Sequence, residues 1–257
     1  MQAHERITAA IDAATKAGRP ALIPFITAGY PRSEGFIETL KSVAAVGDVV
    51  ELGIPFSDPM ADGMTIQRSS FEALRQGVSL KWIFEQLDSA SGEIDAPLVM
   101  MSYLNPLLAF GYDELAERAL AAGVCGFIVP DLPFEESAEI RAALEVKGLG
   151  LIQLVTPATP VQRLKTLSDA SRGFVYAVTI TGITGGGEGL PADLTGYLDK
   201  VAELSSLPVC AGFGIRSPAD VAAVGKHAAG AIVGSALVEV LERGEDPQPY
   251  LRSLIGQ

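Results

Sequence analysis

Apolar residues in this chain fall into short, dense runs, each followed by a stretch where they recur every three or four positions. The dense runs lie at 20–27, 49–54, 97–103, 125–129, 149–155, 173–179, 208–211 and 230–233. They mostly lack the apolar–polar alternation of a half-solvated strand, so each predicts a strand buried on both faces. Helical spacing occupies 33–46, 65–89, 112–122, 135–147, 160–171, 192–204, 218–227 and 235–242, and a further amphipathic segment, 1–18, precedes the first strand. Turn-forming clusters such as Ala28-Gly29-Tyr30-Pro31, Asn105-Pro106 and Pro130-Asp131 punctuate the units. Strict strand–helix alternation implies a parallel sheet, and eight units predict a closed (β/α)8 TIM barrel with an extra N-terminal helix. An open doubly wound sheet is the alternative, but the G-x-G-x-x-G fingerprint after the first strand is missing. With no linker, charge block or shift of composition, residues 1–257 are expected to form one barrel domain.

A hydrophobic fraction of 48% and a charged fraction of 19% suit a soluble protein with a large core. The net charge of −12 argues against nucleic acid or anionic membrane as a partner, without forbidding a small anion held by backbone amides. Cys125 and Cys210 sit inside apolar runs and read as core thiols in a reducing compartment. No run approaches the ~20 apolar residues of a membrane span. Residues 1–18 carry both charge signs, unlike a signal peptide, so the cytoplasm is the expected compartment.

Candidate chemistry concentrates in Asp48 to Gln67, DVVELGIPFSDPMADGMTIQ. Glu51 interrupts a buried strand, where an ionised carboxylate must find a partner, shift its pKa or serve a site. Asp62 lies in the loop beyond. Singly, the first reads as a buried acid held by backbone donors and the second as a turn or cap residue. Together at one strand exit they point to a site. Loops after the strands of a barrel gather at one face, and Glu51, Asp62, Tyr103, Asn105, Asp131, Tyr176 and Gly214 all fall at or just past strand ends. The two histidines, His4 and His227, lie in helical segments, which removes Ser-His and Cys-His nucleophiles. The lysines lie in helices or polar connections, which disfavours a Schiff base, and no imidazole or thiolate ligand reaches the rim. A carboxylate-held Mg²⁺ stays open. Acid–base work by carboxylates, supported by Tyr and Asn, remains. Gly214 after strand seven, with Gly234 and Ser235 after strand eight, matches the usual phosphate grip of a barrel, though glycines and serines also end strands and cap helices generally. The loop 181–191 holds five glycines between Gly182 and Leu190 and suits either a lid or a plain surface connection.

The segment ELGIPFSDPMADGMTIQ closely resembles the signature of the tryptophan synthase alpha subunit, and PFITAG at 24–29, MSYLNP at 101–106, VPDLP at 129–133, GFGI at 212–215 and GSALV at 234–238 extend the resemblance over nearly the whole chain. It implies retro-aldol cleavage of indole-3-glycerol phosphate to indole and glyceraldehyde 3-phosphate. Carried over, Glu51 is the acid and base, and Asp62 accepts the indole N–H. Tyr176, Tyr103, Phe213 and Thr184 contact substrate, and Gly185, Gly214, Gly234 and Ser235 hold phosphate. It also implies no cofactor or metal in this chain, and a pyridoxal-phosphate beta subunit as partner in an alpha2beta2 complex, docked near 55–58 and 105–106. Two departures stand out. The loop at Gly186-Gly187-Glu188-Gly189 is neutral to acidic where the family often carries a base, and Leu22 stands where a Phe is expected against the substrate ring. A different phosphate-binding barrel enzyme and a non-catalytic regulatory subunit are the alternative readings.

Overall fold

The computed structural model describes residues 1–179, 192–212 and 214–257. Strands β1 (Ala21–Thr27), β2 (Val50–Gly53), β3 (Leu98–Met101), β4 (Val124–Ile128), β5 (Gly150–Val155), β6 (Val175–Val178), β7 (Val209–Gly212) and β8 (Gly230–Val233) pair in sequence order, all parallel. The barrel closes where Ala21–Pro24 of β1 lie beside Gly230–Val233 of β8. Around it run α1 (Ala3–Lys16), α2 (Phe36–Ala44), α3 (Met64–Arg75), α4 (Leu80–Ser89), α5 (Leu104–Phe110), α6 (Tyr112–Ala121), α7 (Ala138–Val146), α8 (Val161–Ala170), α9 (Ala192–Leu204), α10 (Pro218–Val224), α11 (Ser235–Glu242) and α12 (Pro247–Leu254).

Alternate residues of the strands divide the core into two shells, save at β4, where the register with β3 shifts after Val124. Ala21, Ile23, Val49, Val99, Cys125, Ile152, Tyr176, Cys210 and Ile232 fill the lumen. Leu22, Ile26, Val50, Leu52, Met100 and Phe127 face outward and pack under the helices. The N-terminal helix α1 completes the inner shell: Ile7 and Ile11 are fully buried against it and close the barrel floor. Each such side chain contributes about 1.5–3 kcal/mol of transfer free energy. Gly173 makes room for this plug, since a Cβ there would sit 3.1 Å from Ile7. Asp48, just before β2, accepts hydrogen bonds from Nη1 and Nη2 of Arg19 (2.6 and 2.8 Å) and from the Leu22 amide (2.8 Å), tying the start of β1 to β2.

Three features differ from the pattern. The helical stretch 65–89 is two helices: α3 ends near Gly77, whose φ of 81° a helix cannot accommodate, and the Ser79 side chain caps α4 by accepting from the Trp82 amide. Asn105-Pro106, read as a turn, instead lies inside the first turn of α5, where proline lacks only an N–H that has no helical acceptor. The last helix, α12, is absent from the sequence reading, although Asp246-Pro247, an N-cap followed by proline at the first helical position, marks its start.

Candidate active site

A cavity of about 270 Å³ opens at the C-terminal mouth of the barrel, lined by Phe25, Glu51, Asp62, Ile66, Met101 and Tyr176 together with Gly214–Arg216, Ile232 and Gly234–Ala236. Glu51 is placed by the register that sets it beside Phe25 of β1 and Val99 of β3, pointing inward two residues before Gly53 ends the strand. It is 1% exposed, and its Oε2 has no hydrogen-bond partner among the described residues. Burial first, and the nearby Asp62 carboxylate second, push its pKa up from 4.5 to about 8. Glu51 is therefore mostly a neutral acid at pH 7.

Asp62 sits half-buried in the loop between β2 and α3. The Tyr103 hydroxyl donates to its Oδ2 at 3.0 Å and accepts from the Ala61 amide at 2.8 Å, while the Tyr103 ring stacks on Phe56 with centroids 5.1 Å apart. Burial raises the Asp62 pKa and the Tyr103 bond opposes that rise. Tyr103, expected at the substrate, stands behind Asp62 and outside the residues lining the cavity. Tyr176 does line it. Burial, Glu51 and Asp62 hold its phenol far above the ordinary range, so it stays a neutral hydroxyl. Gly212 makes space for it: a Cβ there would lie 2.3 Å from the Tyr176 hydroxyl oxygen.

After β7, Gly214 adopts φ 80° and turns the chain, while after β8 Gly234 precedes Ser235, the first residue of α11. The first-turn amides of a helix have no helical acceptors and carry the positive end of its dipole, which makes this a site for an anion. Thr184, Gly185 and Phe213 lie outside the described residues. Leu22 is corrected: it is fully buried outside the barrel, under the helices, and cannot meet a ligand. Phe25, at the opposite parity of the same strand, supplies the aromatic wall, its ring lying so close over Gly53 that a Cβ there would come within 2.4 Å. Counting by twos from a lumen residue such as Ile23 would have found it. Arg216, missed by sequence reasoning, also lines the cavity.

The excluded nucleophiles are elsewhere. The His4 Nδ1 lies 3.0 Å from the Gly148 carbonyl and the His227 Nδ1 lies 2.7 Å from Asp199. Burial raises both thiols, Cys125 and Cys210, against ionisation. Among the described residues, no group of three or more His, Cys, Asp or Glu is placed to hold a metal ion. The mouth can thus protonate with one acid, hold positive charge beside another, and seat an anion in the same cavity.

The same arrangement has relatives. The family model for the tryptophan synthase alpha chain matches residues 11–254. The alpha chain of Nitratidesulfovibrio vulgaris is 41% identical over 249 residues, covering 96% of this chain and 97% of the relative, and that of Carboxydothermus hydrogenoformans is 45% identical over 226 residues, covering 88% and 85%. A structure of Mycobacterium tuberculosis tryptophan synthase superposes with TM-score 0.89 at 35% identity, covering 97% of this chain and 96% of that one. One from Pyrococcus furiosus superposes with TM-score 0.87 at 34% identity, covering 93% and 99%. By sequence and by fold alike, this chain belongs to the tryptophan synthase alpha chain family.

Proposed function

We propose that Glu51 and Asp62 carry out the family's reaction, cleavage of indole-3-glycerol phosphate to indole and glyceraldehyde 3-phosphate, in this chain. The neutral Glu51 donates its proton to indole C3, which leaves a cationic, iminium-like ring. Asp62 accepts the hydrogen bond of the indole N–H and stabilises that charge. The carboxylate left on Glu51 then takes the proton of the side-chain hydroxyl. The bond between indole C3 and the side chain breaks, its electron pair restores the indole ring, and the oxygen becomes the aldehyde of glyceraldehyde 3-phosphate. Glu51 ends protonated, ready for another turn. Tyr176 positions Glu51, Tyr103 positions Asp62, and the amides around Gly214, Gly234 and Ser235 seat the phosphate, with Thr184, Gly185 and Phe213 as further contacts. No cofactor is required for these steps.

The observation that carries this reading is a buried acid, its pKa raised to about 8, facing the same cavity as a free helix N-terminus. The Pyrococcus furiosus relative is described as an alpha2beta2 complex with mutual activation, and we extend that assembly, with a pyridoxal-phosphate beta subunit, to this chain. Met60, 91% exposed, and Met64, 77% exposed, stand beside the 55–58 loop on the active-site face and suit such a contact. Cytoplasmic location fits a chain in which no described helix is long and apolar enough to cross a membrane. The test is indole release from indole-3-glycerol phosphate by the purified chain and by Glu51→Gln. Activity should fall by several orders of magnitude in the variant, and undiminished release would overturn the assignment.

A further inference from the structure

We propose that Arg216 is a specificity residue for the phosphate end of the substrate: its guanidinium leaves Glu239 for the phosphate dianion when ligand binds. This rests on the phosphate seat proposed above and adds to it a side-chain cation. Among the described residues lining the cavity, Arg216 alone is positively charged, while Glu51 and Asp62 supply two carboxyl groups. A dianion entering a chain of net charge −12 therefore meets one cation at this mouth.

Geometry keeps that cation within reach. The Arg216 Nη2 is paired with Oε2 of Glu239, on α11. Glu239 and Ser235 are four residues apart on that helix, so they stack on one face about 5–6 Å apart at Cβ. The guanidinium thus waits one helical turn from the amides that would hold phosphate. Its backbone is anchored at both ends: the amide donates to Asp220 Oδ2 at 3.0 Å, and the carbonyl accepts from the Tyr250 hydroxyl at 2.9 Å. Only side-chain torsions need change.

Energetics favour the exchange. The pair is exposed, at 54% for Arg216 and 31% for Glu239, and such pairs contribute about 0–1 kcal/mol. A guanidinium–phosphate contact is charge-assisted, often bidentate, and stronger. Glu239 is not stranded, since water reaches it and Thr65 Oγ1 lies 3.4 Å from its Oε1.

The test is the reverse condensation of indole with glyceraldehyde 3-phosphate by the purified chain. Arg216→Gln should raise KM for glyceraldehyde 3-phosphate about tenfold, the loss of one hydrogen bond to a charged group, with KM for indole and kcat held within about twofold. Glu239→Gln, which frees the guanidinium, should lower the same KM. A clasp with only a structural role predicts that both variants act alike; equal shifts, or none, would overturn the proposal. Ser235→Asp separates the underlying reading, because a first-turn Asp suits the helix but repels phosphate. An unchanged KM there overturns the phosphate seat itself. A raised KM there, with Arg216→Gln silent, overturns only the role of Arg216.

Discussion

Replacing Glu51 with Gln should make the protein less active and, at neutral pH, relatively more stable, and the second effect is the sharper test. In the unfolded chain Glu51 ionises near its ordinary value of 4.5; in the folded chain it ionises at about 8. Between those values the folded state holds one proton more, so stability contributed by this group is complete below pH 4.5 and is lost as pH rises toward 8. The slope is about 1.4 kcal/mol per pH unit. From about pH 5.5 to about pH 7.5 the native protein should therefore lose about 2–3 kcal/mol through Glu51. The Glu51→Gln variant has no proton to release there, and its buried amide carries a cost independent of pH. Denaturant unfolding of both proteins across that range gives the difference directly, and contributions of other titrating groups largely cancel. The gap should shift in favour of the variant by about 2–3 kcal/mol. Parallel stability curves would mean that Glu51 is ionised in the fold at neutral pH and unable to open the reaction as an acid.

Tyr103→Phe removes the hydroxyl that lowers the Asp62 pKa, so the acidic limb of the rate profile should move to higher pH and kcat should fall about tenfold, seen in indole release across pH. Gly212→Ala sets a methyl 2.3 Å from the Tyr176 hydroxyl oxygen and should lower stability by about 1–3 kcal/mol together with activity; an unchanged unfolding midpoint would refute the packing. Asp48→Ala strands the Leu22 amide and the Arg19 guanidinium and should reduce stability by about 2 kcal/mol in urea unfolding, while KM stays the same because the cluster lies at the far end of the strands from the cavity.

Much of this molecule was written along the chain. Strands covered on both faces must be apolar throughout, so the eight runs announce a parallel barrel before any contact is known. Glu51 was legible because an acid within such a run conflicts with its surroundings, and Asp62 because it follows at the same exit. Uniform burial also hides information. All seven residues of β1 are buried, so nothing in its composition separates Leu22, which faces the helices, from Phe25, which faces the cavity; the pairing with β2 and β8 decides that parity. The break at Gly77 escaped because apolar spacing continues on both sides of it, and only its backbone angle ends the helix. Tyr103 meets Asp62 across 41 residues, and Arg216 meets Glu239 across 23. Local pattern reports how each segment buries its own surface. Which charges share one mouth is settled by barrel closure, which brings distant strand ends together and sets the raised pKa that the chemistry requires.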